Sequence, residues 1–171
     1  VLALFLKDIR PTIVVAFSIP FSVLFAIIIM YFTGININVM SLAGLCLGIG
    51  MLVDNSIVVM ENIYRFRNEG MSASKAAVRG TAQVAGPILA STITTICVFL
   101  PMVYTSGMVS QLLMPFAFTI SYALIASLLV ALTVVPTMGS VLLRKTKDVK
   151  QPWFDKIKDV YGKVLELALR F

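Results

Sequence analysis

Charged residues in this chain come in blocks, separated by long apolar runs. Four uncharged or nearly uncharged runs, about 12–33, 37–64, 81–104 and 112–143, are each long enough to cross roughly 30 Å of hydrocarbon, which takes about 20 helical residues. They predict four membrane-spanning helices, and hence an all-α, polytopic membrane helix bundle. The longest run predicts a helix that tilts or projects beyond the bilayer. Pro20, Pro87, Pro101, Pro115 and Pro136 lie within or beside these runs. Neighbouring helices and hydroxyls can satisfy the carbonyls that proline leaves free there, so kinked, tightly packed helices are expected.

The ends of the chain read differently. Val1 to Leu6 is apolar and lacks both an initiator Met and the basic start of a signal peptide. Residues 1–10 are therefore expected to be the tail of a helix cut in mid-span, followed by a cytoplasmic turn. After the fourth run, Arg144-Lys145-Thr146-Lys147-Asp148 is a charged exit and Pro152 marks a new start. Trp153, Ile157, Val160, Tyr161, Val164 and Ala168 then recur at helical spacing, with Lys156, Asp159, Lys163 and Glu166 mostly opposite. This predicts an amphipathic helix on the cytoplasmic surface over 144–171, leading to the next span.

Composition agrees with a bilayer as solvent. Apolar residues make up 59% of the 171, charged residues only 13%, and mean hydropathy is +0.97, which excludes a soluble enzyme, a disordered tail and a secreted disulfide mini-protein. The net charge of +6 would suit nucleic acid if the basic residues were spread over one surface. Instead all 14 occupy three blocks: Lys7 and Arg10; Arg65, Arg67, Lys75 and Arg79; and Arg144 to Arg170. The connections between the first and second runs and between the third and fourth carry none. This is the positive-inside pattern, with the basic loops cytoplasmic and no nucleic-acid partner implied. Cys46 and Cys97 lie inside apolar runs and are expected to be buried thiols. The absence of histidine and of a CxxC pair argues against a structural zinc site, and no metal ligands are assigned.

The second run holds the candidate chemistry. Asp54 is the only acidic residue near the middle of any span. A charge there costs about 2.5–3.5 kcal/mol on the lenient insertion scale, so it is rarely left without a function. A carboxyl whose surroundings alternate between dry and hydrated can take up a proton in one state and release it in the other, as proton-coupled transport requires. On a helical projection Gly50, Asp54 and Glu61 share one face, and Gly44, Gly48, Asn55 and Asn62 a neighbouring one. Gly44, Gly48 and Gly50 are assigned to helix packing. Asn55 is expected to hydrogen-bond across the Gly44/Gly48 contact, either as an auxiliary to the relay or as packing glue. Glu61 and Arg65, one turn apart, are expected to pair at the interface. Ser91, Thr92, Thr94 and Thr95 could line a water path but also suit bonds to their own helix backbone. A permanent pairing of Asp54 with a cation on another helix stays open. An aspartyl protease needs two deep carboxylates and a metalloprotease needs histidines, so enzymatic activity is not expected.

Gly50-Met51-Leu52-Val53-Asp54-Asn55-Ser56-Ile57-Val58-Val59-Met60-Glu61-Asn62-Ile63 resembles the fourth transmembrane helix of the resistance–nodulation–division efflux pumps of the acriflavine or multidrug type. The likeness continues through Phe5 to Thr12 at the end of the second helix, Ile19-Pro20 in the third and Gly70 to Gly80 before the fifth. Phe99-Leu100-Pro101-Met102 and Leu132 to Pro136 are similar to the fifth and sixth, and Trp153-Phe154 to the surface helix beyond. The resemblance implies half of the transmembrane domain of a pump of about twelve spans. It also implies a proton-driven secondary transporter in the bacterial inner membrane that needs no cofactor. The partners implied are the remainder of the transporter with a relay lysine on a second-half helix, two further copies in a homotrimer, and a periplasmic adaptor with an outer-membrane channel. Asp54 falls on the relay aspartate of the family. Drug pumps of this type usually carry two consecutive aspartates there, whereas this chain has Asp54-Asn55, and Asn cannot titrate. A lipid- or protein-export relative, or a non-transporting scaffold with a paired Asp54, are the alternatives.

Overall fold

The computed structural model describes residues 9–143, apart from the side chains of residues 9, 10 and 52. The expected helix remnant at the start and the surface helix at 144–171 lie outside the described residues. Among those described, four α-helices follow one another: α1 (Ile9–Thr33), α2 (Val39–Asn68), α3 (Ala73–Val103) and α4 (Met108–Leu142). All four are long and apolar enough to cross a membrane.

The helices outrun the hydrocarbon-length runs that predict them. With 25 to 35 residues each, they extend roughly 37 to 52 Å at 1.5 Å per residue. Most of the excess lies at the basic end. No proline lies between Ala73 and Thr81, and Lys75, Ala76, Ala77 and Arg79 are favourable helix formers that carry the helix through Gly80. The first turns of α3 therefore carry charges that a hydropathy reading assigns to a loop.

Short turns force the neighbours to run antiparallel. At the uncharged end Gly34 adopts φ +73°, and the Ile35 amide donates back to the Met30 carbonyl at 3.0 Å, closing α1 with a left-handed cap. Asn38 then starts α2 with a reciprocal capping box: the Ser41 amide donates to Asn38 Oδ1 at 2.8 Å and the Asn38 amide to Ser41 Oγ at 2.7 Å. At the basic end Arg67 donates to the Leu143 carbonyl at 3.2 Å and the Met71 carbonyl at 3.0 Å, tying the end of α4 to the α2–α3 turn.

The helices α2 and α4 make the most extensive interface, with α1 packed against both on one side and α3 against both on the other. Val14, Val59, Met60, Ile63, Ala76 and Val135 form the main core toward the basic end; Ala26, Ala123 and Ala126 form a smaller one toward the other. The helices α2 and α4 share the centre of the bundle, and α4 is the more enclosed. Half of its most apolar stretch is buried, 50% against 24% for α2. Cys46 and Cys97 are exposed, contrary to expectation. In a chain whose solvent is lipid, an apolar run marks the outward face as readily as the core.

Candidate functional site

Two helices and one side chain of a third build the surroundings of Asp54. Gly50, Asp54 and Asn55 from α2 face Ser91, Thr92 and Thr95 from α3 across an open groove of about 450 Å³, with Leu124 of α4 on its wall. The Asp54 side chain is exposed, although it lies halfway along a helix of membrane-crossing length. No hydrogen bond or ion pair engages it among the described residues. Gly50, assigned to packing by the sequence, does not pack: a Cβ there would meet nothing within 4 Å. It leaves space on the face of Asp54.

The other two glycines do bring helices together. A Cβ on Gly44 would sit 2.9 Å from the Phe116 carbonyl oxygen, and one on Gly48 2.8 Å from the Ala123 Cβ, so both admit α4. Asn55 does not bond across that contact. Its Nδ2 donates to Thr92 Oγ1 on α3 at a long 3.5 Å. A projection gives the face of a helix and not its neighbour; along this side of α2 the neighbour changes from α4 to α3. The remaining hydroxyls take the backbone alternative: Ser91 donates to the Ile88 carbonyl at 3.0 Å, Thr94 to Ala90 and Thr95 to Ser91, each at 2.9 Å.

Toward the basic end the α2–α3 contact tightens. Asn62, buried, donates from Nδ2 to the Gly80 carbonyl at 2.7 Å and to Gln83 Oε1 at 3.2 Å. A Cβ on Gly80 would lie 2.8 Å from the Ile63 Cα and 2.9 Å from its nitrogen, so only glycine fits the crossing. The predicted Glu61–Arg65 pair is absent among the described residues. Arg65 instead lies 3.9 Å from Glu69 and donates to Gln83 Oε1 at 3.0 Å. The physical reason is direction: a long cationic side chain near a helix end reaches toward the polar terminus, away from the deeper Glu61. Sequence reading missed Gly80 and Gln83, although Gln83 is the one amide side chain on α3 beyond its basic first turns.

Comparison with known proteins bears on this arrangement. Residues 1–171 match the model of the AcrB/AcrD/AcrF family. The chain is 37% identical over 177 residues to the swarming motility protein SwrC of Bacillus subtilis (strain 168), an alignment that covers 99% of this chain and 17% of that protein. It is 39% identical over 151 residues to the multidrug resistance protein MdtC of Escherichia coli (strain K12), covering 88% of this chain and 15% of the relative. With MdtC of Enterobacter sp. (strain 638) the identity is 35% over 176 residues, covering 99% and 17%. The chain thus spans about a sixth of the length of the curated relatives it matches.

Proposed function

Since this chain belongs to the AcrB/AcrD/AcrF family, we propose that it forms the proton-coupling part of a resistance–nodulation–division exporter, with Asp54 as the group that binds and releases the proton. The observation that carries the reading is the exposed, unengaged Asp54 carboxyl in the α2–α3 groove. Such a group is too costly to leave against lipid, so its face belongs to protein or water. The four helices leave that face to the rest of the transporter, and a lysine on a second-half helix is the partner we assign to it. Asn55 supports the site without titrating, so the proton travels on a single carboxyl here.

The mechanism follows from that one group. With the groove hydrated from the outer side, the Asp54 carboxylate accepts a proton and loses its attraction to the lysine. The bundle relaxes into a second packing, Asp54 meets the cytoplasmic side, and the proton returns to water as the ion pair re-forms. Each cycle moves one proton inward per Asp54 and drives cargo outward. Two relatives bear the name multidrug resistance protein, and we assign drugs or amphiphiles as the cargo class. Cargo capture belongs to the parts of the transporter beyond these residues. The assembly we propose is a homotrimer in the bacterial inner membrane, basic loops inside, coupled to a periplasmic adaptor and an outer-membrane channel.

In the full-length transporter, Asp54→Asn removes the titratable group with little change of shape. Cells carrying it are expected to lose export, with dye accumulation equal to that of cells lacking the pump and with normal amounts of protein in the membrane. Export at the wild-type rate would overturn the assignment.

A further inference from the structure

The α2–α3 pair is held unequally along its length. Near the basic end it is clamped: the Gly80 backbone touches that of Ile63, and buried Asn62 holds the Gly80 carbonyl at 2.7 Å. In the middle, at the level of Asp54, the two helices are linked by the bond from Asn55 to Thr92 at 3.5 Å, the long limit of a hydrogen bond. One turn before Asp54, at Gly50, the space is open. Thr92 differs from its neighbours on α3. Ser91, Thr94 and Thr95 are committed to their own backbone, whereas Thr92, only 3% exposed, offers its oxygen to the other helix.

We propose that the Asn55–Thr92 hydrogen bond is a latch on the Asp54 groove, which makes Thr92 a positioning residue for proton exchange. The proposal rests on the reading of Asp54 as the proton-binding group. A pair of helices pinned at one end and weakly joined beside the carboxyl can part at the weak point without disturbing the clamp. Asp54 is exposed with this bond made, on the face left to the rest of the transporter; once that face is covered, parting α2 from α3 opens a route for water to Asp54 along their seam. A hydronium then gives its proton to the carboxylate, leaving a neutral water and a carboxylic acid, and the reverse transfer empties the site. With that face covered and the latch closed, exchange along the seam is shut, so the latch couples this route to the state of the bundle. One neutral hydrogen bond is the right size for this role, since losing it changes an open–closed ratio roughly two- to fivefold.

The test uses the full-length transporter in proteoliposomes with a pH-sensitive dye inside, and reads the proton leak without cargo across a range of external pH. Thr92→Val keeps the shape and removes the acceptor; it is expected to raise the leak roughly two- to fivefold and to shift its pH profile. Thr92→Ser, which keeps the hydroxyl, is expected to restore wild-type behaviour. Asn55→Ala breaks the same bond from α2, so the double variant should leak no more than either single one. A wild-type leak in Thr92→Val, equal leaks in Thr92→Val and Thr92→Ser, or additive effects would each overturn the latch. If Thr92→Val fails to assemble, Asn55→Ala alone decides the matter by the same leak. Asp54→Asn in parallel separates the two ideas. If it stops proton flux while the Thr92 and Asn55 variants leave the leak unchanged, the latch alone fails; if it transports protons normally, the reading of Asp54 fails first.

Discussion

Asp54 and Asn55 are adjacent on α2 and differ in what they touch: the acid faces an open groove, and the amide reaches across to Thr92. The acid was legible because a lone carboxylate in a long apolar run has few explanations. The partner of the amide was not, because spacing along one helix cannot say which neighbour lies opposite. Arg65 makes the same point. It stands four residues after Glu61 and four before Glu69, so periodicity offers both acids equally, and the reach of the guanidinium toward the helix end selects Glu69. The neighbouring Asn62 is more consequential than either acid, being buried and bonded to the Gly80 carbonyl. Thermal unfolding of the full-length protein in detergent should therefore separate them. Asn62→Ala is expected to cost about 1 kcal/mol, while Glu61→Gln leaves the midpoint unchanged.

At the scale of elements, glycines decide how closely helices approach. Gly44 and Gly48 admit α4, and Gly80 admits the Ile63 backbone of α2. The small-xxx-small spacing of the first two was readable in the sequence; Gly80 follows Arg79 at the edge of the uncharged run, where it reads as the end of a loop. Its neighbour in space is main chain, which cannot turn aside as a side chain can. Gly80→Ala must push α2 and α3 apart, with an expected destabilisation of about 1–3 kcal/mol in the same unfolding experiment and weakened protection of the Asn62 contact. An unchanged midpoint would show that the crossing relaxes freely. Helix ends were the least legible feature, since hydropathy marks where lipid stops and not where hydrogen bonding stops. The alanine-rich, basic start of α3 continues the helix beyond that limit.

At the scale of the whole molecule, the four helices arrange three surfaces. Arg65, Arg67, Lys75 and Arg79 gather around the α2–α3 turn, the connections at the opposite end carry no charge, and large apolar side chains such as Phe17, Leu24 and Ile28 on α1 face outward. That the basic turn and the uncharged connections lie at opposite ends of the four helices was thus legible from charge placement. The openness of the Asp54 face was not, because it depends on how α2, α3 and α4 divide the space around one helix. That face gives the proposed function its central element: a carboxyl midway along a helix of membrane-crossing length, which under that proposal the rest of the transporter covers or hydrates. The direct check is infrared difference spectroscopy of the full-length transporter as pH is stepped across the range in which it works. A carboxylic-acid C=O band should grow on acidification in the wild type and be missing from that difference in Asp54→Asn. The same band in both proteins would contradict the assignment of the transported proton to Asp54.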